Sequence, residues 1–130
     1  MPKRILLCDD EIFILRAAEM KLKKAGYDVE ISSDGEEAWE AIQSRLPDLL
    51  ITDYKMPRLD GLELTRRLRN DPQTAAMPIF LLTARTLELS RERLAEELQI
   101  YHVISKPFSP QGLLRDVEKI WQVEEAAVRG

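Results

Sequence analysis

The stretch that decides the fold is LLITD, residues 49–53, a short and largely apolar run that ends in a carboxylate. Four similar runs occur elsewhere in the chain, at Arg4–Cys8, Asp28–Ile31, Pro78–Leu82 and Tyr101–Ser105. Nearly continuous apolar runs of about four to eight residues are typical of strands buried on both faces of a parallel sheet. The pattern therefore predicts five parallel strands.

Amphipathic segments separate these runs and carry signals for helices. Gly26 can end the first helix, and Ser33 and Glu36 have the spacing of a capping box at the start of the second. Ser109 before Pro110 is a typical start for the last helix. Strands that alternate with helices predict an α/β fold, in which a doubly wound (βα)5 parallel sheet has helices on both faces.

Two further helices are indicated by leucines four residues apart, Leu64 with Leu68 and Leu94 with Leu98. No linker, repeat or low-complexity stretch interrupts the 130 residues, and this length suits one domain around one core. We therefore expect a single domain over residues 1–123, followed by a C-terminal tail over residues 124–130.

Composition limits the classes of partner. With 45% hydrophobic and 32% charged residues, the chain should fold as a soluble protein. A net charge of −4 gives little attraction to nucleic acids or anionic membranes, so neither is expected as a direct partner. The arginines at 66, 67 and 69 are interpreted as a solvated helix face. The single cysteine, Cys8, is predicted to be buried, which suits a cytoplasmic protein.

Polar side chains close four of the predicted strands. Asp9 and Asp10 follow the first strand, Asp53 the third, Thr83 the fourth and Lys106 the fifth. Because the carboxyl ends of parallel strands lie at one edge of the sheet, where ligands bind in such folds, we expect these side chains to converge.

The charges of these residues indicate a chemistry. Three neighbouring carboxylates repel one another, and one would tend to take up a proton unless cations are present. A divalent cation and the lysine ammonium together would neutralise them, and oxygen ligands favour Mg²⁺. A carboxylate beside Mg²⁺ can accept a phosphoryl group as an aspartyl phosphate, in a reaction that depends on positioning and charge neutralisation.

Each residue also has a purely structural interpretation. Asp9 and Asp10 could cap a helix, and Asp53 could cap the turn before Pro57. Thr83 is a common strand residue, and Lys106 could simply be solvated. Their joint placement at four strand ends, in the right order, favours a functional site.

With these residues in place, the sequence resembles the receiver domain of two-component response regulators, which has a flavodoxin-like fold, from about Lys3 to Gln122. The motifs that carry the resemblance are Asp9-Asp10-Glu11, Asp53-Tyr54-Lys55-Met56-Pro57, Asp60-Gly61, Thr83-Ala84 and Lys106-Pro107-Phe108.

The resemblance implies a role for each site residue. Asp53 would be the phosphoacceptor, and Asp10, Asp53 and the backbone carbonyl of Lys55 would bind Mg²⁺, with Asp9 acting largely through water. Thr83 and Lys106 would contact the phosphoryl group. The peptide bond from Lys106 to Pro107 would be cis, as in that family.

The resemblance also implies partners. The phosphoryl donor would be a phosphohistidine of a sensor histidine kinase or phosphotransfer protein. Phosphorylation would change the surface formed by the fourth helix, fifth strand and fifth helix, which would bind a downstream protein target. The chain would be a monomer or a phosphorylation-dependent dimer. It would act as a single-domain signalling switch that assists its own phosphorylation and dephosphorylation, not as an enzyme acting on other substrates.

The sequence departs from the family pattern in its switch region. Val103 occupies a position that usually carries a tyrosine or phenylalanine, and a β-branched side chain cannot swing as a ring does. Tyr101, two residues earlier, should lie on the same strand face. We hypothesise that Tyr101 takes over part of the switch, or that the signal relies on movement of the fourth helix.

Three further positions bear on the lifetime of the phosphoryl group or on the turn before the fifth strand. Lys55 and Arg85 lie two residues after Asp53 and Thr83, where the family tunes the lifetime of the phosphoryl group. Their side chains would either shield the acyl phosphate from water or be solvated. Gln99 stands where the family typically has a glycine before the fifth strand.

Three other functions share parts of this pattern. A phosphohydrolase of the haloacid dehalogenase type needs an Asp-x-Asp arrangement after the first strand, which this chain lacks. A flavodoxin-like electron carrier needs small hydroxyl residues there, and three acidic residues would repel a flavin phosphate. A receiver-like scaffold that signals without phosphorylation remains an alternative because of Val103.

Overall fold

The five apolar runs form one parallel sheet in the computed structural model, which describes residues 2–83 and 96–129, with side chains to residue 121. The strand order is β2-β1-β3-β4-β5. The elements are β1 Arg4–Cys8, α1 Ile12–Lys24, β2 Asp28–Ser32, α2 Gly35–Ser44, β3 Leu49–Asp53, α3 Gly61–Arg69, β4 Ile79–Thr83, β5 His102–Ser105 and a C-terminal helix, Pro110–Arg129. The predicted five-stranded parallel α/β fold is confirmed.

The core has two main layers because successive strand residues point to opposite faces of the sheet. On β1, Ile5 and Leu7 pack in one layer, with α1 and the C-terminal helix. Leu6 and Cys8 pack in the other layer, with α2 and α3. Burial of Cys8 raises the pKa of its thiol, as expected of an inert core cysteine.

The helix starts agree only partly with the sequence signals. Ser109 Oγ accepts a hydrogen bond from the Gly112 N–H at 2.9 Å, which confirms the predicted start of the C-terminal helix. The capping box predicted for Ser33 and Glu36 is wrong, because α2 begins one residue later. There Asp34 caps the helix by accepting the Glu37 N–H at 2.9 Å.

The helix ends show where the chain turns. Gly26 follows the last turn of α1 with φ +103°, a left-handed conformation that glycine adopts without strain, and this confirms its predicted role. The C-terminal helix continues to Arg129, through most of the segment expected to be a tail. Leu94, expected in a helix, lies outside the described residues, whereas Leu98 ends a helical stretch at residues 96–98.

Arg69 does not belong to a solvated helix face, contrary to the prediction. Its guanidinium is half-buried and donates hydrogen bonds of 2.9 to 3.2 Å to five backbone carbonyls, those of Thr74, Ala75, Met77, Leu98 and Gln99. It thereby ties the end of α3 to the loop before β4 and to the turn before β5. Arg66 and Arg67 are exposed, as expected.

Gln99 adopts φ +52° at the position where receiver domains typically have a glycine. Side chains other than glycine are disfavoured in this left-handed region because Cβ approaches the following carbonyl oxygen. The bond from Arg69 to the Gln99 carbonyl, 2.9 Å long, holds the turn in place.

None of the described helices combines the length and the apolar character that a membrane span requires.

Candidate functional site

Asp9, Asp10 and Asp53 converge at the carboxyl edge of the sheet. β1 and β3 are neighbours, and the chain leaves β1 towards β2 on one side and reaches β3 on the other, so this is where the strand order reverses. One carboxylate oxygen from each aspartate lies within 4.8 Å of the others. The sheet therefore assembles a compact acidic cluster from residues far apart in sequence.

Lys106 places its ammonium against this cluster. Its backbone N–H donates to the Thr83 carbonyl at 2.8 Å, which fixes the residue beside the end of β4. Lys106 Nζ lies 2.9 Å from Asp9 Oδ2 and 3.2 Å from Asp53 Oδ2. Burial acts to lower the pKa of this ammonium, but its contacts with Asp9 and Glu11 outweigh burial and raise the pKa above its ordinary value. Lys106 is therefore a permanent cation in the site.

Asp53 is the destabilised carboxylate of the group. It is 7% exposed, and burial together with the charge on Asp9 raises its pKa from 3.8 to about 6. Lys106 opposes this rise only in part, and Asp10 adds to it. A carboxylate whose charge is this unfavourable gains free energy from a nearby cation or from taking up a proton.

The interpretation of Asp9 and Asp10 as helix caps is wrong. The cap residue of α1 is Glu11, and its side chain makes no capping hydrogen bond. Asp9 Oδ1 accepts the Glu11 N–H at 2.9 Å, which orients the carboxylate, and the buried Oδ2 has only an ion pair with Lys106. Asp10 is exposed. Both side chains are therefore available to the pocket.

Glu11 is a member of the site to which sequence reasoning assigned no role. Its Oε1 lies 2.9 Å from Lys106 Nζ, so the ammonium has a third carboxylate partner. The two residues are 95 positions apart in sequence. Only the predicted meeting of strand ends could have suggested the contact, and the side chain's direction was not predictable.

The loop after Asp53 explains the Asp60-Gly61 part of the motif. A Cβ at Gly61 would lie 2.1 Å from the backbone oxygen of Asp53, so only glycine lets α3 start this close to the site. The Gly61 N–H donates to the Tyr54 carbonyl at 2.9 Å, and Asp60 caps α3 through the Glu63 N–H. Lys55, within the loop, is exposed.

The predicted switch residues are placed as follows. Thr83 is fully buried at the end of β4. Val103 packs in a small third cluster with Leu81, whereas Tyr101 lies before β5 and its ring centroid is 5.9 Å from that of Phe80, in the first core layer. Tyr101 is 52% exposed and precedes β5, so its sharing a strand face with Val103 stays a prediction. Arg85 lies outside the described residues.

The donor set fits a hard divalent cation. Three carboxylates supply oxygen ligands only, and the buried Asp9 Oδ2 has no well-directed hydrogen bond of its own. Oxygen donors of this kind are those that Mg²⁺ prefers. The peptide bond from Lys106 to Pro107 is cis, as the resemblance implied.

Comparison with known proteins agrees with this geometry. The family model of the response regulator receiver domain matches residues 5–118. The chain is 39% identical, over 98% of its length, to the alkaline phosphatase synthesis transcriptional regulatory protein PhoP of Bacillus subtilis, and 40% identical, over 91%, to the phosphate regulon transcriptional regulatory protein PhoB of Rhizobium meliloti. It covers 52% of each of these relatives, and thus spans about half their length.

Solved structures give the same result. The chemotaxis response regulator CheY4 of Vibrio cholerae is similar with a TM-score of 0.84 and 28% identity, over 92% of this chain and 99% of that one. A CheY-like receiver domain protein of Methanospirillum hungatei has a TM-score of 0.84 and 26% identity, over 100% of both chains. Receiver domains bind Mg²⁺ in their acidic pocket and interact with histidine kinases or phosphotransfer proteins. The chain therefore belongs to the response regulator receiver domain family of two-component signalling.

Proposed function

We propose that this chain is the phosphoacceptor of a two-component phosphorelay, and that Asp53 receives the phosphoryl group from a histidine kinase or phosphotransfer protein. The observation that carries the proposal is the placement of the Lys106 ammonium 3.2 Å from Asp53 Oδ2, beside an oxygen cluster suited to Mg²⁺. The raised pKa of the Asp53 carboxyl supports the proposal, because it shows that this carboxylate lacks sufficient neighbouring cations.

The reaction is an exchange of one phosphorus bond for another. The bond from phosphorus to the donor's imidazole nitrogen breaks, and a bond from phosphorus to an Asp53 carboxylate oxygen forms. Lys106 offers charge to the phosphoryl oxygens, and Thr83, at the neighbouring strand end, offers its hydroxyl. Asp9, Asp10 and Asp53, with the Lys55 carbonyl, would hold Mg²⁺, which supplies charge neutralisation when bound.

The proposed consequence is a switch. Attack of water on phosphorus would release phosphate and restore Asp53, so the domain would reset itself without acting on external substrates. In the phosphorylated state, the surface formed by the predicted fourth helix, β5 and the C-terminal helix would present a changed face to a downstream protein. Residues 84–95, which include most of that fourth helix, lie outside the described residues. A scaffold that never carries phosphate is the alternative that the experiment must exclude.

The test is phosphorylation by acetyl phosphate in the presence of Mg²⁺, read as an acyl-phosphate mass shift of the intact chain. We expect labelling of the wild-type chain, none of Asp53→Asn, and none of the wild type in EDTA. Asp60→Asn is the matched control, because asparagine is also a good helix cap and the residue lies at the same edge of the sheet. Undiminished labelling of Asp53→Asn would overturn the proposal.

A further inference from the structure

The Lys106 ammonium is shared by three carboxylates, and Glu11 is one of them. An ammonium has three N–H groups. Lys106 Nζ already has three carboxylate oxygens within reach, from Asp9 and Glu11 at 2.9 Å and from Asp53 at 3.2 Å. A phosphoryl oxygen that binds Lys106 must therefore compete with these carboxylates for the ammonium.

The three partners differ in how readily they can withdraw. The Asp9 side chain is 2% exposed, and its other oxygen is engaged by the Glu11 N–H. The Asp53 side chain is 10% exposed and carries the reacting oxygen itself. The Glu11 side chain is 57% exposed, and its carboxylate can rotate into water without leaving a buried charge behind.

Helix capping does not hold Glu11 in its place. Glu11 is the cap residue of α1, but its side chain makes no capping bond and reaches Lys106 instead. Loss of the Lys106 contact would therefore leave the start of the helix unchanged.

On these grounds we propose that Glu11 is the exchangeable partner of Lys106, a positioning residue whose carboxylate competes with the incoming phosphoryl group for the lysine ammonium. Glu11 holds Lys106 over the pocket in the resting state and yields it on phosphorylation. The strength of this one ion pair then sets how readily the pocket accepts a phosphoryl group. This inference rests on the proposed function of Asp53.

The experiment measures the dissociation constant of beryllofluoride, a phosphoryl stand-in, at saturating Mg²⁺ by titration calorimetry. Glu11→Gln and Glu11→Ala should bind it about two- to fivefold more tightly than the wild type, as expected for loss of one exposed competing ion pair. Glu11→Asp keeps the charge but is one methylene shorter, and it should also bind more tightly because it cannot reach Nζ.

Glu63→Gln is the matched control for charge. Glu63 lies in the first turn of α3, after the loop that follows Asp53, is exposed and pairs with Arg66 instead of Lys106. It should bind beryllofluoride as the wild type does. The urea midpoint, measured without Mg²⁺ or beryllofluoride, should stay close to the wild-type value in the Glu11 variants, because an exposed ion pair contributes little to stability.

The outcomes separate the two proposals. A wild-type chain that binds no beryllofluoride at saturating Mg²⁺ would overturn the proposed function itself. If the wild type binds and the Glu11 variants bind equally or more weakly, only the exchange is rejected. Tighter binding by Glu11→Gln with wild-type binding by Glu11→Asp would also reject it, since charge alone would then explain the effect.

Discussion

Lys106 and Arg69 are both long cations drawn into the protein, yet their partners differ in kind. Among the residues that the structure describes, Arg69, at the end of α3, donates to backbone carbonyls that precede β4 and β5. In the same part of the chain, the Lys106 ammonium pairs with side-chain carboxylates. Backbone carbonyls are fixed by the fold, whereas carboxylates can rotate, bind a metal or become esterified. The comparison teaches that the partners, more than the burial, decide whether a buried cation serves structure or chemistry.

The largest test of this contrast replaces each cation with methionine. Arg69→Met leaves five carbonyls without their donor, and we expect the free energy of unfolding to fall by on the order of 4 kcal/mol. Lys106→Met should cost roughly 1 to 2 kcal/mol in EDTA, because Asp53 can take up a proton. Urea denaturation measures both.

Added Mg²⁺ should affect the stability of these two variants differently. Added Mg²⁺ should restore the stability of Lys106→Met, because a divalent cation can replace an ammonium among carboxylates. Mg²⁺ should not restore the stability that Arg69→Met loses, since the carbonyls that Arg69 contacts are not part of the aspartate cluster. Equal rescue of the two variants would show that the contrast between carbonyl and carboxylate partners is false.

Asp53→Asn should stabilise the folded chain. In the absence of metal, the difference between a pKa of about 6 in the fold and the ordinary 3.8 corresponds to up to roughly 3 kcal/mol at neutral pH. The raised pKa means that the folded state binds the proton more tightly, so wild-type stability falls as pH rises from 3.8 towards 6. The advantage of the asparagine variant should thus be full above about pH 6 and absent below about pH 4.

Denaturation curves of the two proteins in EDTA across that pH range check this expectation. Asp60→Asn, whose carboxylate caps α3, serves as the control and should show no comparable gain at neutral pH. A constant difference between Asp53→Asn and the wild type at all pH values would contradict the electrostatic origin of the effect.

The smallest expected effect concerns the turn that Arg69 holds. Gln99→Gly should raise the free energy of unfolding by about 0.5 to 1 kcal/mol, because glycine adopts φ +52° without a Cβ penalty. Gln99→Ala keeps a Cβ and should show no gain. Thermal unfolding of the two variants measures the difference, and an equal response of alanine and glycine would show that backbone strain is not involved.

Sequence reasoning reached the sheet and most of the pocket for one physical reason. Parallel strands buried on both faces are near-continuous apolar runs, and their ends must meet at one edge of the sheet. Asp9, Asp10, Asp53 and Lys106 close such runs, so their meeting followed from topology alone.

The remainder depended on where individual side chains point. In the sequence, Arg69 looks like its solvated neighbours Arg66 and Arg67. Helical spacing alone does not show that backbone carbonyls of two distant loops face the Arg69 guanidinium. The Asp34 cap was missed because a shift of one residue in the start of a helix changes which side chain makes the capping hydrogen bond.

The contact between residues 11 and 106 joins the first strand–helix turn to the last. A nascent or truncated chain that lacks β5 would present its aspartates without the lysine that balances them. The balance of charge in this pocket is thus a property of the finished sheet, since it joins side chains from the first and the last strand ends.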